Sequence, residues 1–294
     1  MSAVRIWCPL ASPLFSSSPS QFQSPILRLH FFKPSGSPKL LRRNAPSSLI
    51  LTRCLTQLLI EDELSMAEAD SSSITAPAEI IIVRHGETEW NADGRIQGHL
   101  DVALNDVGRK QAAAVAERLS KETEISAIYS SDLKRAFETA EIIAASCGGL
   151  EVIKDPGVRE RNLGDLQGIV YRDAVKVCPK AHEAFISPKS DQEIPGGGES
   201  RDQLYQRCTS ALQRIGNKHK GQRIVVVTHG GVIRTLYKWA CPNGKAGGKV
   251  LNTSVNIFHL SDGDNWTVKV WGDVSHLNEI DFLESGFGGD KTSG

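Results

Sequence analysis

Two short β-branched runs, Ile80-Ile81-Ile82-Val83 and Ile224-Val225-Val226-Val227, each end in a histidine followed by glycine. Apolar runs of this length and branching read as buried strands. The first breaks off in Arg84-His85-Gly86, the second in Thr228-His229-Gly230-Gly231. Open α/β sheets place their chemistry at the carboxyl ends of strands. Glycine there permits a tight turn and close approach of a ligand to the backbone. One such tripeptide reads equally well as a surface turn; two in one chain form a constellation.

The segments between alternate in period. Asn105 is a good N-cap for a helix over about Val107 to Leu119, with Ala112, Val115, Ala116 and Leu119 as its apolar face. A short strand over Ala127 to Tyr129 leads to a helix that Ser131 or Asp132 caps and that runs to about Ser146. Arg135 falls in its first turn. A helix N-terminus already favours anions, so a cation there reads as a phosphate ligand, with a solvated surface arginine as the alternative. Val152 to Lys154 is a further strand. Glu160 lies between Arg159 and Arg161 in a polar loop, as a proton donor or as a plain salt bridge. One helix is expected over 171–186, and another from about Arg201 to Lys218 with Ser200 as its cap. Gly196-Gly197-Gly198 lacks the Gly-Lys-Ser/Thr of a nucleotide loop. A helix from Gly231 to Ala240 follows His229. Val255 to Leu260 and Trp266 to Val270 read as a hairpin. The fold expected is a three-layer α/β/α sandwich, its sheet mostly parallel with an antiparallel edge.

The 294 residues carry 34 basic and 34 acidic side chains. That balance argues against nucleic-acid or membrane-surface partners. Seven of the bases and none of the acids lie in residues 1–60, so the remainder holds 27 against 34 and is acidic. An acidic protein that binds an anion must concentrate its arginines locally. Residues 1–60 are also rich in Ser and Pro, the composition of an organellar transit peptide. Their apolar stretch from Ser48 to Ile60 is interrupted by Arg53 and too short to span a bilayer. Met66 opens an alternative start. The expected division is therefore a transit-like or upstream extension over 1–77, a catalytic domain over 78–283 and a flexible tail over 284–294. The location is chloroplast if the first segment targets the protein, and cytoplasm if translation begins at Met66. None of the six cysteines forms a C-x-x-C pair, and no metal or cofactor is called for. A homodimer is one open form of assembly.

The strand ends bring Arg84, His85, Arg135 and His229 together, with Glu160 nearby. Phosphoryl transfer needs an in-line nucleophile and positive charge on the equatorial oxygens. Two guanidinium groups and a second imidazole supply that charge without a metal. Flanking arginines disfavour protonation of His85 and leave it nucleophilic. Glu160 then protonates the leaving alkoxide and deprotonates the attacking water.

From Glu79 to about Leu277 the chain resembles the histidine phosphatase superfamily, the phosphoglycerate-mutase-like group. The likeness rests on Arg84-His85-Gly86-Glu87-Thr88 with Trp90-Asn91, Ser130-Ser131-Asp132-Leu133-Lys134-Arg135-Ala136, Glu160-Arg161, Gly198-Glu199-Ser200 and Thr228-His229-Gly230-Gly231. It implies His85 as the phosphorylated residue, Arg84, Arg135 and His229 as the phosphate pocket, Asn91 as a further phosphate ligand and Glu160 as acid and base. Gln97, Gly98, Arg161 and Gly230 complete the implied substrate contacts. The implied activity is metal-independent hydrolysis of a small phosphorylated metabolite, with O-phosphoserine the expected one. The alternatives are a phosphoglycerate mutase and a non-catalytic phosphate-binding module. Cofactor-dependent mutases carry a longer insert with paired arginines before the second histidine. Here 68 residues separate Glu160 from His229 and hold no Arg-Arg pair. Leu163 stands where those mutases show an aromatic, and Gln97-Gly98 replaces their Thr-Gly. These departures favour hydrolysis. Arg161, Arg172 and Lys176 are candidates for contact with a substrate carboxylate, with solvated surface charge the favoured reading of the last two. The other histidines (His30, His99, His182, His219, His259, His276) show no ligand spacing, and Trp90, Trp266 and Trp271 are expected in the core.

Overall fold

A computed structural model of the chain describes residues 76–122, 124–244 and 248–277. The expected extension over 1–77, its last two residues aside, and the tail over 284–294 lie outside the described residues. Among the described residues a six-stranded sheet has the order β3-β2-β4-β1-β5-β6. Its strands are β1 (Ala78–Arg84), β2 (Ala127–Ser130), β3 (Val152–Lys154), β4 (Arg223–Thr228), β5 (Val255–Ser261) and β6 (Asn265–Asp273). β1, β2, β3 and β4 run parallel. β5 is antiparallel to β1 and β6 to β5. The antiparallel part is thus a two-strand hairpin closing one edge, turned at Gly263 with φ +72°.

Alternation along the two central strands explains the layers. Ile80 and Ile82 pair with Ile224 and Val226 and face one apolar cluster. Leu204, Leu212 and Ile215 of α6 (Arg201–Lys218) and Val232, Ile233 and Leu236 of α7 (Gly230–Ala240) supply the rest of it. Ile81, Val83, Val225 and Val227 face the other cluster. There they meet Val115 and Leu119 of α2 (Asp106–Ser120) and Ala136, Ala140 and Ile143 of α3 (Lys134–Ser146). Each fully buried Ile or Val contributes roughly 1.5–3 kcal/mol of transfer free energy, so covering both faces is what commits this sequence to three layers.

Two helix boundaries differ from the sequence reading. The side chains of Ser131 and Asp132 do not cap α3, whose N-cap position is Leu133 with no side-chain bond. Asp101 accepts the Lys134 N–H at 2.7 Å instead. Asp132 is drawn away by Arg159, whose Nε donates to Oδ1 at 2.6 Å. The single helix expected over 171–186 is two, α4 (Tyr171–Val177) and α5 (Pro179–Ile186). Pro179 has no N–H to continue the first, so the chain breaks at Cys178. Asn105 and Ser200 cap α2 and α6 as expected, Ser200 in a capping box with Gln203. Among the described residues no helix is long and apolar enough to cross a membrane.

Candidate active site

Because β1, β2 and β4 are parallel, their carboxyl ends lie along one rim. Arg84 ends β1, and the His85 N–H donates to the Thr228 carbonyl at 3.0 Å. Thr228 ends β4, and its hydroxyl donates to the Val158 carbonyl at 2.6 Å. Ser131 follows β2 and donates its N–H to Val227 at 3.0 Å. These bonds stitch three strand ends and the loop before Glu160 into one floor.

The residues read from sequence meet on that floor. The rings of His85 and His229 lie 5.1 Å apart between centroids. Arg84, His85, Arg135, Glu160, Arg161 and His229 are all buried. His85 Nδ1 bonds the Gly86 carbonyl at 2.7 Å. That contact requires the proton on Nδ1 and leaves Nε2 with its lone pair. Burial, then the Arg135 and Arg84 guanidinium charges, hold the His85 imidazole well below its ordinary pKa. Burial, then Arg135, His85 and Arg84, do the same to His229. Two neutral imidazoles therefore sit beside two cations.

Arg135 donates from Nη1 to the Leu100 carbonyl at 3.0 Å and from Nη2 to the Gly98 carbonyl at 2.8 Å. Burial lowers its pKa to about 10, with Glu160 and Asp101 opposing, so it stays charged. Its Nε and His229 Nδ1 have no hydrogen-bond partner among the described residues. His229 Nε2 is engaged by the Ser131 hydroxyl at 2.9 Å. With the Ser131 hydroxyl donating to Nε2, the His229 proton lies on Nδ1. Leaving a buried donor unmade costs about 1–3 kcal/mol, so both atoms then call for an acceptor. A phosphate oxygen meets that demand.

Among the described residues Glu160 forms no salt bridge. Its Oε1 accepts the Arg161 N–H at 2.9 Å and Oε2 the Gly231 N–H at 3.1 Å, at the start of α7. The plain ion pair is thereby excluded: Arg159 turns to Asp132, and Arg161 Nε donates to the Glu199 carbonyl at 2.9 Å. Arg207 holds the whole loop. It meets the Glu199 carboxylate with two bonds of 2.8 Å and donates to the carbonyls of Gly157, Arg159 and Glu160.

The other residues expected at the site divide between those with free polar atoms and those with structural roles. Gly98 has φ +53°, and a Cβ there would meet Gln167 Oε1 at 2.1 Å. Gln97 is buried with Oε1 unpaired among the described residues, as is Arg161 Nη1. Gly230 opens α7 directly after His229. Asn91 is buried, and its Oδ1 closes the capping box of the four-residue helix α1 (Glu89–Ala92) with Thr88. Gly86 is required for another reason than the one read from sequence. A Cβ on it would lie 2.4 Å from the Gly108 carbonyl oxygen, and one on Gly108 would lie 2.0 Å from that of Glu87. The two glycines let the loop after β1 press its backbone against α2. Arg172 and Lys176 are exposed. Trp266 and Trp271 pack, half-buried, against the first cluster, and Trp90 lies under Arg95.

Sequence reasoning missed His99, which bonds the Glu160 carbonyl through Nε2 at 2.7 Å. It also missed the role of Ser131, and the 250–254 segment that meets the end of β1. Only Ser131 carried a signal, as part of the Ser130-Ser131-Asp132 run. A surface groove of about 800 Å³ between α3 and β3, lined by Phe137, Leu150 and Ile153 among others, contains none of the site residues.

Comparison with known proteins agrees with this geometry. Residues 80–274 match the family described as the histidine phosphatase superfamily, branch 1. The chain is 69% identical over 217 residues to phosphoglycerate mutase-like protein 4 of Arabidopsis thaliana, covering 74% of this chain and 94% of that protein. It is 53% identical over 212 residues to the metal-independent phosphoserine phosphatase of Arabidopsis thaliana, covering 72% and 88%. Among solved structures, a phosphoserine phosphatase variant from Entamoeba histolytica in complex with phosphoserine superposes with a TM-score of 0.59 at 27% identity, covering 68% of this chain and 99% of that one.

Proposed function

The chain belongs to the histidine phosphatase superfamily, and on that premise we propose that it is a metal-independent phosphatase that hydrolyses O-phosphoserine through a phosphohistidine on His85. The observation that carries the reading is a pair of neutral, buried imidazoles at 5.1 Å beside two buried guanidinium groups.

The chemistry follows from what each atom has left to give. His85 Nε2 holds a lone pair and attacks phosphorus. The ester P–O bond breaks, and protonated Glu160 gives its proton to the serine oxygen as it leaves. Arg84, Arg135 and His229 Nδ1–H take the charge on the phosphoryl oxygens. Water then attacks the phosphohistidine, the resulting carboxylate of Glu160 takes the water's proton, and phosphate departs from a regenerated neutral His85. Arg161 and Gln97, each with an unpaired buried polar atom, are the groups we assign to the carboxylate and amine of the substrate. Asn91, Gly98 and Gly230 line the phosphate end.

Phosphate release from O-phosphoserine in excess chelator tests this. Turnover that disappears in His85→Ala and persists without divalent ions agrees with the reading; turnover retained in His85→Ala refutes the nucleophile.

A mutase reading is supported by the likeness to phosphoglycerate mutase-like protein 4. Incubation with 3-phosphoglycerate decides it: a mutase gives the 2-isomer, a phosphatase gives glycerate or nothing.

For location, the acid-free, Ser/Pro-rich composition of residues 1–60 supports a plastid-targeting role, with cytoplasm the alternative for a product begun at Met66. A fluorescent fusion of residues 1–77 separates the two.

A further inference from the structure

Thr253 is fully buried and has a φ of +53°. A β-branched residue avoids this left-handed region because its side chain collides with the backbone. Such a conformation persists only where the surroundings over-determine it, and such places concentrate at functional sites.

The surroundings here are the end of β1. The Thr253 N–H donates to the Arg84 carbonyl at 3.1 Å and is shared with the His85 carbonyl at 3.4 Å. The Asn252 carboxamide donates to the His85 carbonyl at 3.0 Å. The Ser254 carbonyl accepts the Arg84 N–H at 3.3 Å, and the Val250 carbonyl accepts Arg84 Nη1 at 2.6 Å. From the other flank the Thr228 carbonyl accepts the His85 N–H at 3.0 Å. One turn therefore grips the peptide groups on both sides of His85. The turn is itself locked, since the Thr253 hydroxyl donates to the Asn252 carbonyl at 2.8 Å and meets His276 Nε2 at 3.1 Å.

The His85 ring takes its direction from this backbone. Its Nδ1 is tied to the carbonyl of the next residue, Gly86, at 2.7 Å. A rotation of the His85 peptide would carry Nε2 with it. An in-line attack tolerates little of that, and misplacement by about 1 Å is enough to cost on the order of a hundredfold in rate.

We propose that Asn252 and Thr253 are positioning residues for the phosphoryl transfer. The left-handed backbone at Thr253 turns the Asn252 amide and the Thr253 N–H onto the Arg84 and His85 carbonyls, and so sets the line along which His85 Nε2 meets phosphorus. The inference rests on the assignment of His85 as nucleophile.

The test is Asn252→Asp, which keeps the shape and removes the donor, read by rapid-quench formation of the phosphoenzyme and by steady-state kinetics at a temperature well below its melting point. We expect phosphoenzyme formation at least tenfold slower, with KM and phosphate affinity within threefold of the parent. Should Asn252→Asp fail to fold, Thr253→Val, which drops the hydroxyl that holds the Asn252 carbonyl, is read by the same criterion. A folded variant that forms phosphoenzyme at the parental rate, whatever its melting temperature, overturns the positioning role and leaves the nucleophile intact. A parent that turns over without any phosphoenzyme overturns both.

Discussion

His99 donates from Nε2 to the backbone carbonyl of Glu160 at 2.7 Å. Its own N–H is held by Gln167 Oε1 at 2.6 Å, and the carbonyl of the preceding Gly98 accepts Arg135 Nη2. The ring thus links the loop that seats Arg135 to the loop that carries Glu160. His99→Phe keeps the plane and loses the donor. A hydrogen bond of this kind contributes about 1 kcal/mol. We expect kcat to fall about fivefold with KM little changed, measured on O-phosphoserine; an unchanged kcat would show that the loops do not need this tie.

Arg207→Met leaves the Glu199 carboxylate without its two-bond partner and frees three carbonyls of the Glu160 loop. Breaking a largely buried pair on one side costs about 3–5 kcal/mol, and partial exposure of this one, 23% and 20% for the two side chains, brings our expectation to about 2–3 kcal/mol. Urea unfolding measures it. The result expected is a lower midpoint at unchanged slope.

Stability should fall as the solution turns mildly acidic. His85 and His229 are held well below their ordinary pKa in the folded state, chiefly by burial, and His276 is lowered to about 4 for the same reason. Below pH ~6.5 the unfolded chain takes up protons that these rings refuse. The stabilisation is therefore complete above that value and is lost progressively beneath it, by at most about 1.4 kcal/mol per pH unit for each histidine and less for the partly exposed His276. The lowered carboxylates Asp132, Glu199 and Asp273 add their own loss only nearer their unfolded values, at about pH 4. Thermal melts from pH 7.5 to pH 5 check the sign, and His276→Gln should flatten the slope. A melting point independent of pH across that window would contradict the buried neutral imidazoles.

Gly108→Ala places a methyl 2.0 Å from the Glu87 carbonyl oxygen and 2.6 Å from its nitrogen. Neither backbone atom can turn aside. Overpacking of this sort costs about 1–3 kcal/mol, or roughly 2–10 °C in melting temperature for a domain of this size. Activity should fall further than stability, because the displaced loop begins at His85. Calorimetry and a rate measurement on one preparation separate the two effects.

What could be read from the sequence and what could not divide along one line. Ile80 to Val83 and Ile224 to Val227 announce themselves, since burial on both sheet faces demands unbroken β-branched runs. The side chains with charge or an imidazole, Arg84, His85, Arg135, Glu160 and His229, follow because they stand at the ends of those elements. Groups that act through the backbone leave no such mark. The Val250 carbonyl on Arg84, the Gly231 N–H on Glu160 and the Thr253 N–H on the end of β1 depend on which loops meet in space. Competition also misled the local reading. Asp132 looked like a cap for α3 until Arg159, 27 positions on, claimed it. Cys178 lay inside the one helix expected over 171–186, which Pro179 interrupts.

The most direct test of the account is acid-sensitivity trapping of the phosphoenzyme. The protein is mixed with excess ³²P-labelled O-phosphoserine in chelator, quenched in alkali within milliseconds, and mapped by peptide. The account expects label that survives base, is lost in mild acid, resides on the peptide carrying His85 and is absent from His85→Ala. Turnover with no trapped label, or label that persists in His85→Ala, would contradict it.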